Sequence, residues 1–262
     1  MINILKVDLY KMFKAKSFYV IGIILAAFSA LNAYMYARIT LDANEKIGMF
    51  LGSFNFFKVF TENISSVVIY MTLFVVLFTV SEFSNGTIKN IATKGYLRES
   101  IYFSKLIVGA ISTLIYVAVV ALSIYLPYIF VLRGHNITSA FEMPKYFVNG
   151  FFIMLLHLLA YISIGLMIAS LVRKSGISIV CLFAFLALIP LLLDILDKLL
   201  GYVIETEIRM SNYFISTNLS YALSHVDLSI PDKDIVRVIL VPICFFVASV
   251  AIGVTVFKKR DI

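Results

Sequence analysis

Apolar residues run along this chain in blocks about 20 positions long, separated by short polar stretches. At 1.5 Å per residue, about 20 apolar residues cross the hydrocarbon core of a bilayer as a helix. Six blocks qualify: 18–36, 64–80, 106–132, 147–172, 177–193 and 238–257. The third and fourth exceed the need and are expected to tilt or to project beyond the bilayer. Pro127, Pro190 and Pro242 fall inside blocks, where neighbouring helices satisfy the carbonyls that proline frees. The first block is too long for a signal peptide and no small-x-small site follows it, so it reads as an uncleaved span.

A different period governs the stretch before the first block, INILKVDLYKMFKAK. At 100° per residue Ile2, Leu5, Leu9, Met12 and Phe13 share a face, with Lys11 and Lys14 opposite. Two readings fit: an amphipathic helix lying in the headgroup plane, or a basic anchor for the first span. Between the second and third blocks the chain surfaces for about 25 residues. Glu82 closes the second block and Ser84-Asn85-Gly86 breaks the helix. Residues 87–94 then read as a short helix, with Gly95 as its stop. So short a helix is unstable alone in water and must pack on the bilayer or on another protein. The segment 194–237 is long and carries semi-apolar runs at Leu199–Ile204, Tyr213–Ile215 and Leu219–Leu223. These read either as interfacial or re-entrant helices or as loops with aromatic anchors. The phenylalanine-rich stretch before the second block, with Phe50, Phe54, Phe56, Phe57 and Phe60, extends that helix or forms such a loop. There is no internal repeat and no soluble domain, so residues 1–262 read as one membrane domain.

Composition agrees. Of 262 residues, 61% are hydrophobic and 14% charged, whereas soluble domains carry about 25% charged residues. Lipid is therefore the solvent for most of the chain. The net charge of +7 is assigned to the positive-inside bias and to anionic lipid heads rather than to nucleic acid. With the N-terminus inside, the pieces on that side hold 13 Lys and Arg in about 50 residues, against 9 in about 80 on the other side. Both termini are accordingly placed in the cytoplasm. The excess of Lys over Arg, with abundant Ile and Phe, is the composition of an AT-rich bacterial genome.

Few residues carry chemistry. His135, His157 and His225 are scattered and Cys181 and Cys244 sit in apolar blocks, so no zinc site, disulfide framework or HExxH motif forms. There is no paired carboxylate for an aspartyl protease within the blocks and no GxxxxGK[ST] loop for a nucleotide. The chain is expected to be non-catalytic and to bind no metal or cofactor. His157, within the fourth block, and Asp194, at the end of the fifth, are the candidates for a substrate path, although a His bonded to a neighbouring helix or a carboxylate capping the following segment describes them as well. Gly109, Ser112, Ser163, Gly165 and Ser170 suit close helix packing. Glu82, an acid in a basic segment, is expected to pair with Arg98 or with an N-terminal lysine.

The run Glu82-Phe83-Ser84-Asn85-Gly86-Thr87-Ile88-Lys89-Asn90, followed by Gly95, Arg98, Ile101, Tyr102 and Ser104-Lys105-Leu106, resembles the segment after the second span of ABC-2 type transporter permeases. That pattern is approximately E-[FY]-x-x-G-T-[IL]-[KR]-N, then G-x-x-R, then a Ser-Lys lead into span three. The opening LKVDLYKMFKAKSFY is similar to the amphipathic helix that begins those proteins. Six spans and a long segment before the last one fit the same pattern. The resemblance covers the whole chain, with 82–106 its specific part. It implies an all-α polytopic fold and a helix at about 86–95 that seats in a groove on a cytoplasmic ATPase. Glu82, Phe83, Asn85, Gly86, Thr87, Ile88, Lys89, Asn90, Lys94, Gly95 and Arg98 are then the ATPase-coupling residues. Two such ATPase subunits, holding ATP and Mg, and a second permease, identical or related, would complete the transporter in a bacterial plasma membrane. Among such permeases the chain is most similar to those of bacterial peptide exporters, of the bacitracin and lantibiotic self-protection and phenol-soluble-modulin kinds. The implied substrate is an amphipathic, antimicrobial-type peptide. An exporter of lipid or drug, a channel and a membrane-bound immunity protein are the competing readings.

Overall fold

The computed structural model describes residues 2–47, 55–131, 143–204, 209–225 and 230–259. Phe50, Phe54, His135 and Arg260 lie outside them. Every described element is helical: α1 (Ile2–Lys14), α2 (Lys16–Ile47), α3 (Phe56–Ser84), α4 (Thr87–Thr93), α5 (Arg98–Val131), α6 (Phe147–Val172), α7 (Ser175–Phe183), α8 (Ile189–Ile204), α9 (Ile215–Ser224) and α10 (Asp232–Lys259). A π-helical turn, Ala184–Leu188, joins α7 to α8, and a 3₁₀ turn, Met210–Tyr213, precedes α9. Six of the helical stretches are long and apolar enough to cross a membrane, so the protein is an all-α, multi-pass membrane protein.

Several of the spanning helices run past the apolar blocks, as helices can where their polar ends leave the hydrocarbon. The second span starts at Phe56, with Asn55 as N-cap accepting from the backbone N–H groups of Phe57 and Lys58 at 2.9 and 3.3 Å. The fourth, Phe147–Val172, keeps the predicted ends. The fifth does not stop at 193: α7, the π turn and α8 carry it from Ser175 to Ile204. Pro190 lies two residues past the π turn; its missing N–H and its ring displace the regular bond to Leu186, which the wider turn accommodates.

α3 and α6 form the centre. In each, 61% of the apolar window is buried, against 28% in α2 and 6% in the α7–α8 span. α2 is accordingly peripheral, contributing one stripe, Phe18, Ile21, Leu25, Ser29, Ala33 and Ala37. Close approach at the centre depends on glycine. A Cβ at Gly109 would stand 2.7 Å from Ile162 Cγ2 and 3.1 Å from Val75 Cγ2. One at Gly165 would stand 2.6 Å from Thr72 Cγ2. The Ser163 and Ser249 hydroxyls meet at 2.6 Å and tie α6 to α10.

Beyond the fifth span the chain folds back as helix rather than loop. Asp197 Oδ1 and Oδ2 accept from the backbone N–H groups of Met210 and Ser211 at 2.7 and 2.8 Å. α9 buries Ile215, Asn218, Leu219 and Ala222. Of the semi-apolar runs, Leu199–Ile204 is thus the end of α8, while Leu219–Leu223 belongs to α9.

Candidate functional site

At the end of the bundle where α3 finishes, four charged side chains from three helices converge. Glu82, on the last turn of α3, receives a hydrogen bond from Lys11 Nζ of α1 at 2.9 Å on Oε1, and Lys105 Nζ of α5 pairs with its Oε2. Lys105 also lies 3.6 Å from Asp8 Oδ2 of α1, which accepts from the Ser104 hydroxyl at 2.8 Å. Asp8, Glu82 and Lys105 are buried, and Lys105 Nζ stands 5.4 Å from the Phe78 ring centroid. Two carboxylates and two ammonium groups cancel, so the cluster is neutral. Neutrality is what lets lysine and carboxylates stay charged away from water.

Glu82 was expected to pair with Arg98 or an N-terminal lysine. Lys11 is that lysine, and Arg98 is not the partner. Instead, Arg98 Nη1 donates to the Lys258 carbonyl at 2.7 Å, while the neighbouring Glu99 pairs with Lys258 Nζ. The first turn of α5 therefore clasps the last turn of α10, with acid at a helix start and base at a helix end. Lys105, Ser104 and Asp8 carry no role in the sequence reading of the cluster. Their signals are a lysine at the head of an uninterrupted apolar block and a single acid inside a basic amphipathic helix.

Asp8 also changes the geometry of α1. The face turned inward is Ile4, Asp8 and Met12, with Leu5 and Leu9 packed at its margin, whereas Ile2 and Phe13 are exposed. Of the predicted apolar stripe, Met12, Leu5 and Leu9 thus pack on the bundle, while Ile2 and Phe13 are left on the outside of it. α1 rests on α5 through an ionic contact that a hydrophobic wheel does not register.

α4 hangs from this base. Gly86 and Gly95 flank it with φ of +65° and +82°, conformations that disfavour any side chain with a Cβ. Ile88 is fully buried and Ile91 is half-buried against the core, which gives the seven-residue helix something to pack on. Lys89, Asn90, Thr93, Lys94 and Gly95 are exposed, as are Asn85, Tyr96 and Leu97, while Thr87 is half-buried. Phe83 turns inward: its ring lies 5.7 Å from that of Phe257, and the Arg173 guanidinium sits 4.8 Å from its centroid. Ile88 and Phe83 are thus anchors of the base and Arg98 a clasp to α10, and among the predicted coupling residues Asn85, Lys89, Asn90 and Lys94 present their side chains outward.

Replacing Gly86 or Gly95 by Ala meets no atom within 4 Å, so its cost is conformational, about 1–2 kcal/mol per site. Faster deuterium exchange across α4 is the expected readout. Gly176→Ala, in open space without a positive φ, should leave exchange unchanged.

The two proposed path residues do not meet. His157 is completely buried on α6 and its Nδ1 donates to the Ile153 carbonyl of its own helix at 2.9 Å, not to a neighbour; Nε2 has no hydrogen-bond partner among the described residues. Asp194 stands exposed on α8, partway along a helix rather than at its end. Among the described residues no group of three His, Cys, Asp or Glu side chains is placed to hold a metal ion.

No curated protein matches the sequence. Residues 18–262 match the family described as a protein of unknown function, DUF2705, and the chain belongs to that family.

Proposed function

We propose that this chain is the transmembrane permease subunit of an ATP-driven exporter of the ABC type. One observation carries the reading: α4 presents Lys89, Asn90 and Lys94 outward from a base whose buried charge cluster is neutral. Both termini and α4 face the cytoplasm of a bacterial cell, in keeping with the distribution of Lys and Arg. Two ATPase subunits there bind ATP and Mg, and each grips one α4. A push on α4 reaches α3 through Gly86 and reaches α1 and α5 through the Glu82 pairs. A second permease, the same chain or a related one, completes the conduit, and the uncovered apolar face of the α7–α8 span is available to it. The substrate is an amphipathic peptide. The chain itself performs no hydrolysis and needs no cofactor.

The test is co-purification from the native membrane. The tagged chain should bring down a nucleotide-binding protein with measurable ATP hydrolysis. Lys89→Glu combined with Lys94→Glu should lower that recovery about tenfold or more, since two exposed charge contacts are reversed, at unchanged thermal stability. Equal recovery by the double variant would remove α4 as the contact.

A further inference from the structure

The outer half of the fifth span stands apart from the bundle. Its inner half, α7, packs on α3 and α6, whereas α8 touches chiefly the π turn and the 3₁₀ turn. At 100° per residue Leu191, Asp194, Ile195, Lys198 and Tyr202 of α8 share a face about 100° wide. All five are exposed, Tyr202 at 89%. α8 is tied to the rest of the chain from another side, by Asp197, whose carboxylate binds the 3₁₀ turn.

Two of the five residues are charged, and their depth makes that costly. Asp194 lies about 28 Å along the span from its start at Ser175, close to the far border of a hydrocarbon layer about 30 Å thick. Lys198 stands one turn further out, where its long stem reaches the headgroups; the short Asp194 side chain has no such reach. Ionisable side chains of membrane spans normally face the interior of a helical bundle and pair there. Asp194 is exposed on its own bundle, and neither it nor Lys198 has an ion-pair partner among the described residues. A bundle that continues past α8 removes the conflict.

Charge complementarity identifies the continuation. A face with one acid and one base a turn apart is complementary to itself. In a two-fold pair about an axis normal to the membrane, Asp194 of each copy meets Lys198 of the other. Two carboxylates and two ammonium groups then form a neutral ring, the same balance as in the Asp8, Lys11, Glu82 and Lys105 cluster. Leu191, Ile195 and Tyr202 pack around it. We propose that α8 is the contact between two copies of this chain, with Asp194 and Lys198 paired across it. Asp194 is then an assembly residue and not part of a substrate path. The inference rests on the export reading only in taking the second permease to be the same chain.

The test is capture between differently tagged full-length copies made in one membrane. Wild-type copies should recover each other. Asp194→Lys in both copies, or Lys198→Asp in both, sets four like charges in the ring and should lower recovery about tenfold or more. One copy with Asp194→Lys and the other with Lys198→Asp brings two bases against two acids, and recovery should return to at least the wild-type level. That rescue also shows that each variant folds. With Cys181 and Cys244 replaced by alanine, Ile195→Cys should form a disulfide between copies under an added copper oxidant. Leu196→Cys, equally exposed but 100° round the helix, should not. Wild-type copies that fail to recover each other would overturn the proposal, as would single variants that self-associate normally or a mixed pair that stays apart. So would a disulfide through position 196 in place of 195. None of these outcomes bears on α4, whose contact is read by the Lys89 and Lys94 variants.

Discussion

Glu82→Lys should unlatch α1 and lower stability by about 3–5 kcal/mol, the usual loss when one member of a buried charge pair is removed. In the native protein the Glu82 carboxylate lies between Lys11 and Lys105 at 5% exposure. The substitution leaves three ammonium groups around a single carboxylate, that of Asp8, and Lys105 keeps only its 3.6 Å contact with Asp8. The unfolding midpoint in detergent should fall and a protease should cut near α1. The double variant Glu82→Lys with Lys105→Glu restores one opposite pair and the neutrality of the cluster, but sets like charges against Lys11 and Asp8, so it should recover part of the loss. Glu82→Gln, which keeps the shape and removes the charge, should also be destabilising; a native midpoint for Glu82→Gln would show that side-chain shape, not charge pairing, holds this end together. Under the export reading, the single variant also uncouples ATP hydrolysis from transport, because α1 and α5 no longer follow α3.

Gly165→Leu should also destabilise the bundle, somewhat less and for a different reason. Even a methyl group at this position would crowd Thr72 Cγ2 at 2.6 Å, with the Thr72 carbonyl 3.5 Å away. Thr72 is fully buried and its hydroxyl donates to the Val68 carbonyl at 2.5 Å. Swinging the side chain aside costs that bond, and the carbonyl belongs to a helix packed on several sides. α3 and α6 must therefore separate. Overpacking of this sort costs about 1–3 kcal/mol, and leucine belongs at the upper end because its branch has no cavity to enter. Gly165→Ala should cost less, and Gly201→Leu, at an open position on α8, should be silent. An undisturbed unfolding midpoint for Gly165→Leu would mean that the two central helices do not approach as described.

Hydropathy carried the architecture because lipid enforces it: a span must be apolar along its length and must satisfy its own backbone. That constraint acts in the hydrocarbon and relaxes at the headgroups. The block 64–80 therefore lies inside a helix of 56–84, where Lys58, Glu62 and Glu82 extend past the apolar part. The short helix was legible for a local reason, since Gly86 and Gly95 mark two backbone positions suited to positive φ. Arg173 occupies the same left-handed region at φ 58° between α6 and α7, and nothing in an arginine announces it. The charge cluster was half legible. A lone acid in a basic segment drew notice to Glu82, but Lys105 reads as the mere start of a span. Asp8 is hidden because a helical wheel scores polar residues as outward. Which cation meets which acid depends on how α1 crosses α5, and that is a tertiary fact.

Placing a photo-crosslinking residue at exposed Asn90 in intact bacterial cells tests the account most directly. The account predicts a crosslink to a separate nucleotide-binding protein on the cytoplasmic side, changing in yield as ATP is added or withdrawn in permeabilised cells. Labelling of that position by a membrane-impermeant reagent from outside the cell, or crosslinks to lipid alone, would contradict it.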